Sequence, residues 1–213
     1  MTRRSLEWAD DRRVDVVEEG DGPATIVLAH GAGAGQDHPF MAGMRERLAA
    51  GHRVVTFDYP YVAEGRRAPN RMGTLLDCHR AVVASAAPSR PVLGGKSMGG
   101  RMASHLDIPV IACFFLGYPL VPIGKSEPRD TSHLHDIDAP MLFVQGERDR
   151  LGPPEMVEPI VEGLTGASLV VIPDADHGFK VPKRTGMDEG EVLDLLARTV
   201  TDWLASVGQA GGS

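Results

Sequence analysis

The chain has 213 residues, of which 42% are hydrophobic and 24% charged, and its net charge is −7 at pH 7. This length and composition are typical of a globular domain that buries a sizeable core. A mildly acidic chain gives no support for nucleic acid or an anionic membrane as a partner. We therefore expect neither nucleic acid nor a membrane as a partner.

Neither the cysteines nor the first residues indicate secretion. Cys78 lies in a helical pattern and Cys113 in an apolar run, without C-x-x-C spacing, so we interpret both as buried, reduced thiols. The opening sequence MTRRSLEWADDRR lacks the apolar stretch of a signal peptide. The most apolar region, residues 110–123, is too short to span a bilayer and is broken by Pro119 and Pro122. These features predict a cytoplasmic protein.

Short apolar runs alternate along the chain with amphipathic helical patterns. The runs rich in Val, Ile and Leu predict strands at residues 13–18, 25–30, 53–58, 91–95, 109–116, 140–145 and 168–172. Apolar residues three and four apart predict helices at residues 39–50, 71–86, 98–106, 154–164 and 189–207. This alternation is typical of the α/β class, with a doubly wound, mostly parallel sheet flanked by helices. We expect a single domain over residues 1–207, followed by a flexible C-terminal tail over residues 208–213.

A serine motif follows the predicted strand 91–95. Ligand sites in such sheets lie at the carboxyl ends of the strands. Residues 95–99 read Gly-Lys-Ser-Met-Gly, a G-x-S-x-G motif between a predicted strand and a predicted helix. The two glycines remove side chains that would collide with a serine lifted onto a sharp turn. Ser97 is therefore the candidate nucleophile.

This motif has two other interpretations. A glycine-softened turn that is capped by an ordinary serine stays open, because short motifs also arise by chance. A phosphate-binding loop would end in the same Gly-Lys-Ser sequence, but it requires a glycine five residues earlier. That position is occupied by Arg90, which excludes a phosphate-binding loop.

Candidates for a base and an acid follow the last two predicted strands. His177 lies in the sequence PDADHGF and Asp149 in the sequence QGERD. Both loops belong at the same edge of the sheet as Ser97, and the chain order Ser, Asp, His is that of one known type of catalytic triad. Taken alone, Asp149 could be a capping carboxylate and His177 a solvated loop residue. Weaker candidates for the acid are Asp174, Asp176 and Glu147.

Small residues follow the predicted strand 25–30. The sequence His-Gly-Ala-Gly-Ala-Gly-Gln there allows backbone amides to approach a substrate oxygen closely. We predict the amide of Ala32, with Gly33 as the second choice, as one oxyanion donor and the amide of Met98 as the other. A dinucleotide-binding loop is disfavoured because its third glycine is missing. His30 is expected to make structural hydrogen bonds.

The stretches HGAGAG, GGKSMGGR, QGERD and DADHGF together resemble the α/β-hydrolase superfamily, over about residues 13–204. Within it, the chain is similar to a small bacterial group related to dienelactone hydrolase. A human testis-expressed protein and a subunit of a histone-acetylating complex share this domain. Dienelactone hydrolase itself uses a cysteine nucleophile where this chain has Ser97. The resemblance therefore implies the fold and a hydrolase, but not that particular activity.

Many members of this superfamily insert a cap between two late strands. Here the corresponding stretch, residues 117–139, contains only 23 residues, three of which are prolines. That leaves room for a loop and one short helix, so we expect no cap domain.

These patterns predict a serine hydrolase that cleaves a small ester, with a thioester or amide as less favoured substrates. Ser97 would form the acyl-enzyme, His177 would act as the base and Asp149 would orient it. The alternative from another class is a non-catalytic binding module, because a fold does not determine a function.

We expect no cofactor and no metal. His133 and His135 lie two residues apart, but a third ligand with suitable spacing is missing from the sequence. Lys96 next to the nucleophile is expected to point away from the pocket, into a salt bridge or solvent. Tyr59 and Tyr61 could line an acyl pocket or belong to the core.

Overall fold

The computed structural model describes residues 1–86 and 89–210. In this part of the chain, eight strands form one sheet in the order β1-β2-β4-β3-β5-β6-β7-β8. Strands β3 to β8 are parallel, whereas β1 and β2 are antiparallel to their neighbours. The strands are β1 Thr2–Ala9, β2 Arg12–Glu19, β3 Thr25–Ala29, β4 Arg53–Phe57, β5 Val92–Lys96, β6 Ala112–Leu116, β7 Met141–Gly146 and β8 Ala167–Ile172.

Helices cover both faces of the sheet. They are α1 Pro39–Leu48, α2 Pro60–Ala63, α3 Met72–Ala86, α4 Met98–Ser104, α5 Pro154–Glu162 and α6 Glu189–Ala210. Helices α1 and α6 pack against one face, and α2 to α5 pack against the other, so each face has its own apolar cluster. This arrangement explains why the central strands read as unbroken apolar runs, and it confirms the predicted doubly wound, mostly parallel fold.

Strand β1 and helix α2 are absent from the sequence prediction. Strand β1 contains Arg3, Arg4 and Glu7, and its side chains alternate between exposed and half-exposed positions. Its extended conformation comes from antiparallel pairing with β2, which local apolar content does not reveal. Helix α2 is a single turn that begins at Pro60, too short to show a helical period.

The structure shortens one predicted strand, extends one predicted helix and confirms the predicted state of the thiols. Strand β6 begins at Ala112, three residues after the predicted start at 109, and helix α6 continues to Ala210 rather than ending at 207. Residues 208–210 of the expected tail are therefore helical, since Gly208 is a single interruption between helix-compatible residues. Residues 211–213 of that tail lie outside the described residues. Cys78 and Cys113 are both free and buried, as expected.

The segment between β6 and β7 is short and mostly irregular. All of residues 117–139 are described, and they contain one 3₁₀ helix, Ser132–Asp136. No cap domain is therefore formed by this segment, in agreement with the sequence prediction. Among the helices of the described residues, none has both the length and the apolar content needed to cross a membrane.

The tight packing of β5 leads to a first prediction. A Cβ atom added to Gly94 would lie 2.1 Å from Cζ of the buried Phe114. Gly94→Ala should therefore lower the free energy of unfolding by about 1–3 kcal/mol, as overpacking does in other cores. Gly73→Ala is the matched control, because a Cβ there meets no atom within 4 Å and lies in helix α3.

Chemical denaturation of both variants measures the difference. Gly73→Ala should be neutral or raise the free energy of unfolding by up to about 1 kcal/mol. Equal effects of the two substitutions would show that the contact between β5 and Phe114 is not as tight as described.

Candidate active site

Ser97 occupies a strained turn between β5 and α4. Its backbone angles are φ 51° and ψ −116°, a conformation that residues with side chains rarely adopt. A Cβ on Gly95 would lie 2.3 Å from the amide nitrogen of Gly100, and one on Gly99 would lie 2.2 Å from the carbonyl oxygen of Ala29. Both glycines are therefore required for helix α4 to pack directly on the sheet, which lifts the Ser97 side chain to the carboxyl edge.

His177 is displayed on a loop that follows β8. The loop is closed internally by Asp176, whose Oδ1 accepts the amide hydrogens of Gly178 and Lys180 at 2.8 and 2.9 Å. Phe179 anchors the loop, since its side chain is buried while its backbone has a φ of 60°. The imidazole of His177 thus projects from a turn of defined shape, and 25% of this side chain is exposed.

Asp149 follows β7 and is fully buried by its surroundings. Its Oδ1 accepts the amide hydrogens of Leu151 and Gly152 at 2.8 and 3.1 Å. The exposed fraction of its side chain is 0%. These hydrogen bonds satisfy the carboxylate and fix its orientation, as a buried charge requires.

The three side chains lie within hydrogen-bond distance of one another. Nδ1 of His177 lies 2.9 and 2.8 Å from the two carboxylate oxygens of Asp149. Nε2 of His177 lies 2.8 Å from Oγ of Ser97. Because Nδ1–H donates to the carboxylate, Nε2 presents its lone pair to the serine hydroxyl. This arrangement allows the imidazole to accept the hydroxyl proton.

The weaker acid candidates contact other groups. Asp176 holds the amides of its own loop. Asp174 bonds to Arg184, and the amide of Asp174 donates to Glu147 at 2.6 Å. None of these contacts involves the imidazole of His177, so the geometry favours Asp149 among the four acids.

The loop after β3 lies beside the serine. A Cβ on Gly31 would be 3.5 Å from Cβ of Ser97. His30 is buried, donates from Nδ1 to the carbonyl of Gly31 at 2.8 Å and accepts the amide hydrogen of Tyr59 at Nε2 at 3.0 Å. Burial lowers the pKa of His30, which favours this neutral, structural form. Tyr61 donates to the same carbonyl at 3.4 Å.

These two side chains hold the carbonyl of Gly31 from two sides. Ala32 is exposed at its tip, and Gly33 has a φ of 77° with open space around it. Met98 is the first residue of α4, directly after Ser97. Met98 therefore adjoins the serine in the chain and Gly31 lies beside it, whereas the role of Ala32 and Gly33 as oxyanion donors stays a prediction. Tyr59 and Tyr61 are both buried as part of the core.

Several residues that shape the site escaped the sequence prediction. Gln145 is buried at the end of β7, where its Oε1 accepts the amide hydrogen of Tyr118 at 2.6 Å and its Nε2 donates to Gly152 at 2.7 Å. Gln36 is held by Asp58, which accepts its amide hydrogen at 2.8 Å. The available signal was a polar residue at the end of an apolar strand, Gln145 in β7 and Asp58 directly after β4.

Lys96 points away from the space in front of Ser97, as expected, but its partner differs from the expected salt bridge or solvent. Its side chain is half-buried, and Nζ donates to the carbonyl oxygen of His177 at 2.6 Å rather than reaching solvent or a carboxylate. The reason is that β5 directs this side chain between helix α1 and the His177 loop, where burial and a carbonyl acceptor are both available.

A polar cleft opens beside the imidazole and the carboxylate. It has a volume of about 760 Å³, and its walls include Arg148, Arg150 and Glu155. Water and a small ligand can therefore reach His177 from this side.

Comparison with known proteins identifies the family of this chain. Residues 22–205 match the family described as Alpha/beta hydrolase domain. The chain belongs to the alpha/beta hydrolase family. A protein of Salmonella typhimurium provisionally named carboxymethylenebutenolidase is 35% identical over 132 residues, which cover 58% of this chain and 48% of that protein. The matched region thus spans about half the length of that curated relative.

Solved structures show the same hydrolase fold. A thermophilic esterase from Thermogutta terrifontis has a TM-score of 0.75 at 17% identity, covering 97% of this chain and 99% of that one. An alpha-beta serine hydrolase homologue from Coxiella burnetii has a TM-score of 0.71 at 17% identity, covering 93% and 96%. At these identities the likeness concerns the fold, and the predicted relation to the dienelactone hydrolase group is supported by the Salmonella relative.

The strain at Ser97 yields a second prediction. Ser97→Gly should raise the free energy of unfolding by about 1–2 kcal/mol, because glycine adopts this backbone conformation without strain and only one hydrogen bond is lost. Ser206→Gly, at an exposed position of α6, should lower it by about 0.5–1 kcal/mol. Thermal and chemical denaturation compare the two variants, and a destabilised Ser97→Gly would show that the turn is not strained.

Proposed function

We propose that this protein is a serine hydrolase that cleaves a small carboxylic ester through an acyl-enzyme. The observation that carries the proposal is the continuous set of contacts from Ser97 through His177 to Asp149. A serine hydroxyl is a weak nucleophile unless a positioned base removes its proton. The hydrogen bonds of this site supply that base together with a group that orients it.

Acylation follows from this geometry. Oγ of Ser97 attacks the ester carbonyl carbon while its proton moves to Nε2 of His177. The carbonyl oxygen becomes negatively charged, and the amides of Ala32 and Met98 donate hydrogen bonds to it. The tetrahedral intermediate collapses, the bond to the alcohol oxygen breaks, and His177 returns the proton to the departing alkoxide.

Deacylation repeats these steps with water as the nucleophile. Water enters beside the imidazole, gives its proton to Nε2 of His177 and attacks the acyl carbon. As the second intermediate collapses, the bond between the acyl carbon and Oγ breaks, His177 returns its proton to Oγ of Ser97, and the carboxylic acid is released. Each step uses a side chain, a backbone amide or water, so the proposal requires no cofactor.

Asp149 has an electrostatic and an orienting role in this proposal. Its carboxylate holds Nδ1–H of His177, which selects the tautomer with a free lone pair at Nε2. It also stabilises the imidazolium that forms in each half-reaction. Because the carboxylate is already bonded to the amides of Leu151 and Gly152, it does not need to reorganise as the charge develops.

A small ester is the substrate class that we favour. Residues 117–139 place no separate domain over the site, so a large apolar tunnel for a long acyl chain is not built by this segment. The Salmonella relative matches over about half of its length, and its named activity is therefore not transferred to this chain. A thioester or an amide is a less favoured substrate of the same site. The carbonyl of an amide is less reactive than that of an ester.

Covalent labelling tests the proposed function. We expect a fluorophosphonate probe to form one adduct per chain, located at Ser97 by mass spectrometry, because the base and the oxyanion donors activate this hydroxyl. Ser97→Ala should abolish labelling, and His177→Ala should slow it by about 10³-fold or more.

A folded protein whose Ser97 stays unlabelled at high probe concentration would contradict the proposal. That result would favour a non-catalytic binding module, the alternative that the fold by itself leaves open. Labelling that is indifferent to His177→Ala would indicate a reactive serine that acts without this base.

The identity of the acid is tested separately. Asp149→Asn should preserve the fold but favour the wrong tautomer of His177, and kcat for p-nitrophenyl acetate should fall by about 10⁴-fold. Asp174→Asn is the matched control, since Asp174 bonds to Arg184 and not to the imidazole. A mild effect of Asp149→Asn combined with a large effect of Asp174→Asn or Asp176→Asn would assign the acid to the His177 loop instead.

A further inference from the structure

Lys96 is the last residue of β5, directly before the nucleophile. Its side chain lies on the face of the sheet opposite helix α4. Successive residues of a strand point to opposite faces of the sheet. Gly95 faces helix α4, so Lys96 faces helices α1 and α6. The side chain therefore reaches the underside of the His177 loop, and it does not enter the space in front of Ser97.

The ammonium of Lys96 has a built environment there. Nζ lies 2.6 Å from the carbonyl oxygen of His177, 5.3 Å from the ring centroid of Phe179 and 6.0 Å from that of Phe40. The two rings stack on each other with centroids 5.9 Å apart. A Cβ on Gly117 would lie 3.0 Å from Nζ. The nitrogen is thus surrounded by the carbonyl of His177, the two aromatic rings and the backbone at Gly117.

The protonation state of the Lys96 amine determines how strong these contacts are. Burial lowers the pKa of Lys96 to about 8, while the carboxylates of Asp149 and Asp176 act in the opposite direction. The group is therefore mainly an ammonium ion at neutral pH. Hydrogen bonds from an ammonium are stronger than those from a neutral donor, and a cation near aromatic rings gains further stabilisation.

Other contacts of the loop leave a specific task for Lys96, because they join the loop to itself, to helix α1 and, through the amide of Arg148 and the carbonyl of Ala175 at 2.8 Å, to the loop after β7. Asp176 closes the loop on itself, and Phe179 anchors it to helix α1 through Phe40. None of these contacts joins the loop to the strand of the nucleophile. The bond from Lys96 to the carbonyl of His177 does so, because it links the residue beside Ser97 to the backbone of the base itself.

We propose that Lys96 is a positioning residue, whose ammonium holds the carbonyl of His177 and thereby fixes the imidazole relative to Ser97. This inference rests on the proposed serine-hydrolase function. The hydrogen bonds of the imidazole to Ser97 and Asp149 orient its ring, and the bond from Lys96 holds the backbone from which the ring projects. Without the bond from Lys96, the backbone of the base can shift away from the serine before each proton transfer.

The experiment compares Lys96→Met with Lys183→Met in the full chain. Methionine keeps the length and apolar contacts of the lysine side chain but removes its charge and its donor. Lys183 is exposed in the 3₁₀ helix Lys183–Thr185, so it controls for the chemical change alone. We expect Lys96→Met to lower the rate of fluorophosphonate labelling and kcat for p-nitrophenyl acetate by about 10- to 100-fold, with KM changed less than about twofold.

The pH dependence distinguishes positioning by the ammonium from a merely structural role. The titratable groups that face Lys96 are Asp149, Asp176 and His177, whereas helix α1 and the turn after β6 present Phe40 and Gly117. In the wild-type protein the labelling rate should fall as the pH rises through about 8, because the ammonium is lost. This fall should be missing in Lys96→Met, whose rate is already low at pH 7. Lys96→Gln keeps an N–H donor, and its rate should lie between the other two.

The outcomes separate the two proposals. A folded Lys96→Met that labels at the wild-type rate, when wild-type Ser97 is labelled, overturns the role of Lys96 alone. An unlabelled wild-type protein overturns the proposed function, and the role of Lys96 with it. Should Lys96→Met fail to fold, Lys96→Gln and the wild-type pH profile decide: a wild-type rate that stays constant from pH 7 to pH 10 contradicts the proposal.

Discussion

The close approach of helix α4 to the sheet constrains the whole site. The backbone of Gly99 lies so near the carbonyl of Ala29, and Gly95 so near Gly100, that neither position has space for a Cβ atom. The chain must therefore reverse between strand and helix within one residue, and Ser97 takes the positive φ that results. Such strain persists only where the surroundings determine the conformation. Here the amide of Ser97 is bonded to Leu116 of the neighbouring strand at 2.9 Å.

The order of the strands explains why the other groups meet this serine. Strand β5 lies between β3 and β6, and β7 and β8 follow on the same side. Because these strands are parallel, their carboxyl ends share one edge of the sheet, and the loops after β3, β7 and β8 converge there. The loops after β7 and β8 are closed by their own carboxylates, Asp149 and Asp176, and the loop after β3 is held by Asp58, which follows β4. The shape of each loop is thus fixed by bonds other than those between Ser97, His177 and Asp149.

Buried polar side chains connect these loops to one another. His30 joins the loop after β3 to the amide of Tyr59 after β4, Gln145 joins the turn after β6 to the turn that carries Asp149, and the half-buried Lys96 reaches the loop of His177. In each case the partner is a backbone group of a neighbouring segment. A buried polar group without a partner is costly, so such residues favour the one arrangement in which all of their bonds are made. Preorganised groups of this kind are what transition-state stabilisation requires.

Residue types and local spacing determined a large part of what can be said about this protein. The apolar runs locate the strands, and the glycines around Ser97 identify a strand-to-helix turn, because steric limits and side-chain periodicity act over a few residues. Strand β1 could not be found this way, since its pairing with β2 and not its apolar content makes it a strand.

The contacts between distant segments were decided by the tertiary structure alone. The sequence could place Lys96 beside the nucleophile, but its partner is a carbonyl 81 residues away. The same holds for the acid. The sequence offered four carboxylates, and the structure shows that the one facing Nδ1 of His177 is Asp149. Such choices depend on strand order, register and the packing of side chains between layers, and these emerge only when the whole chain is folded.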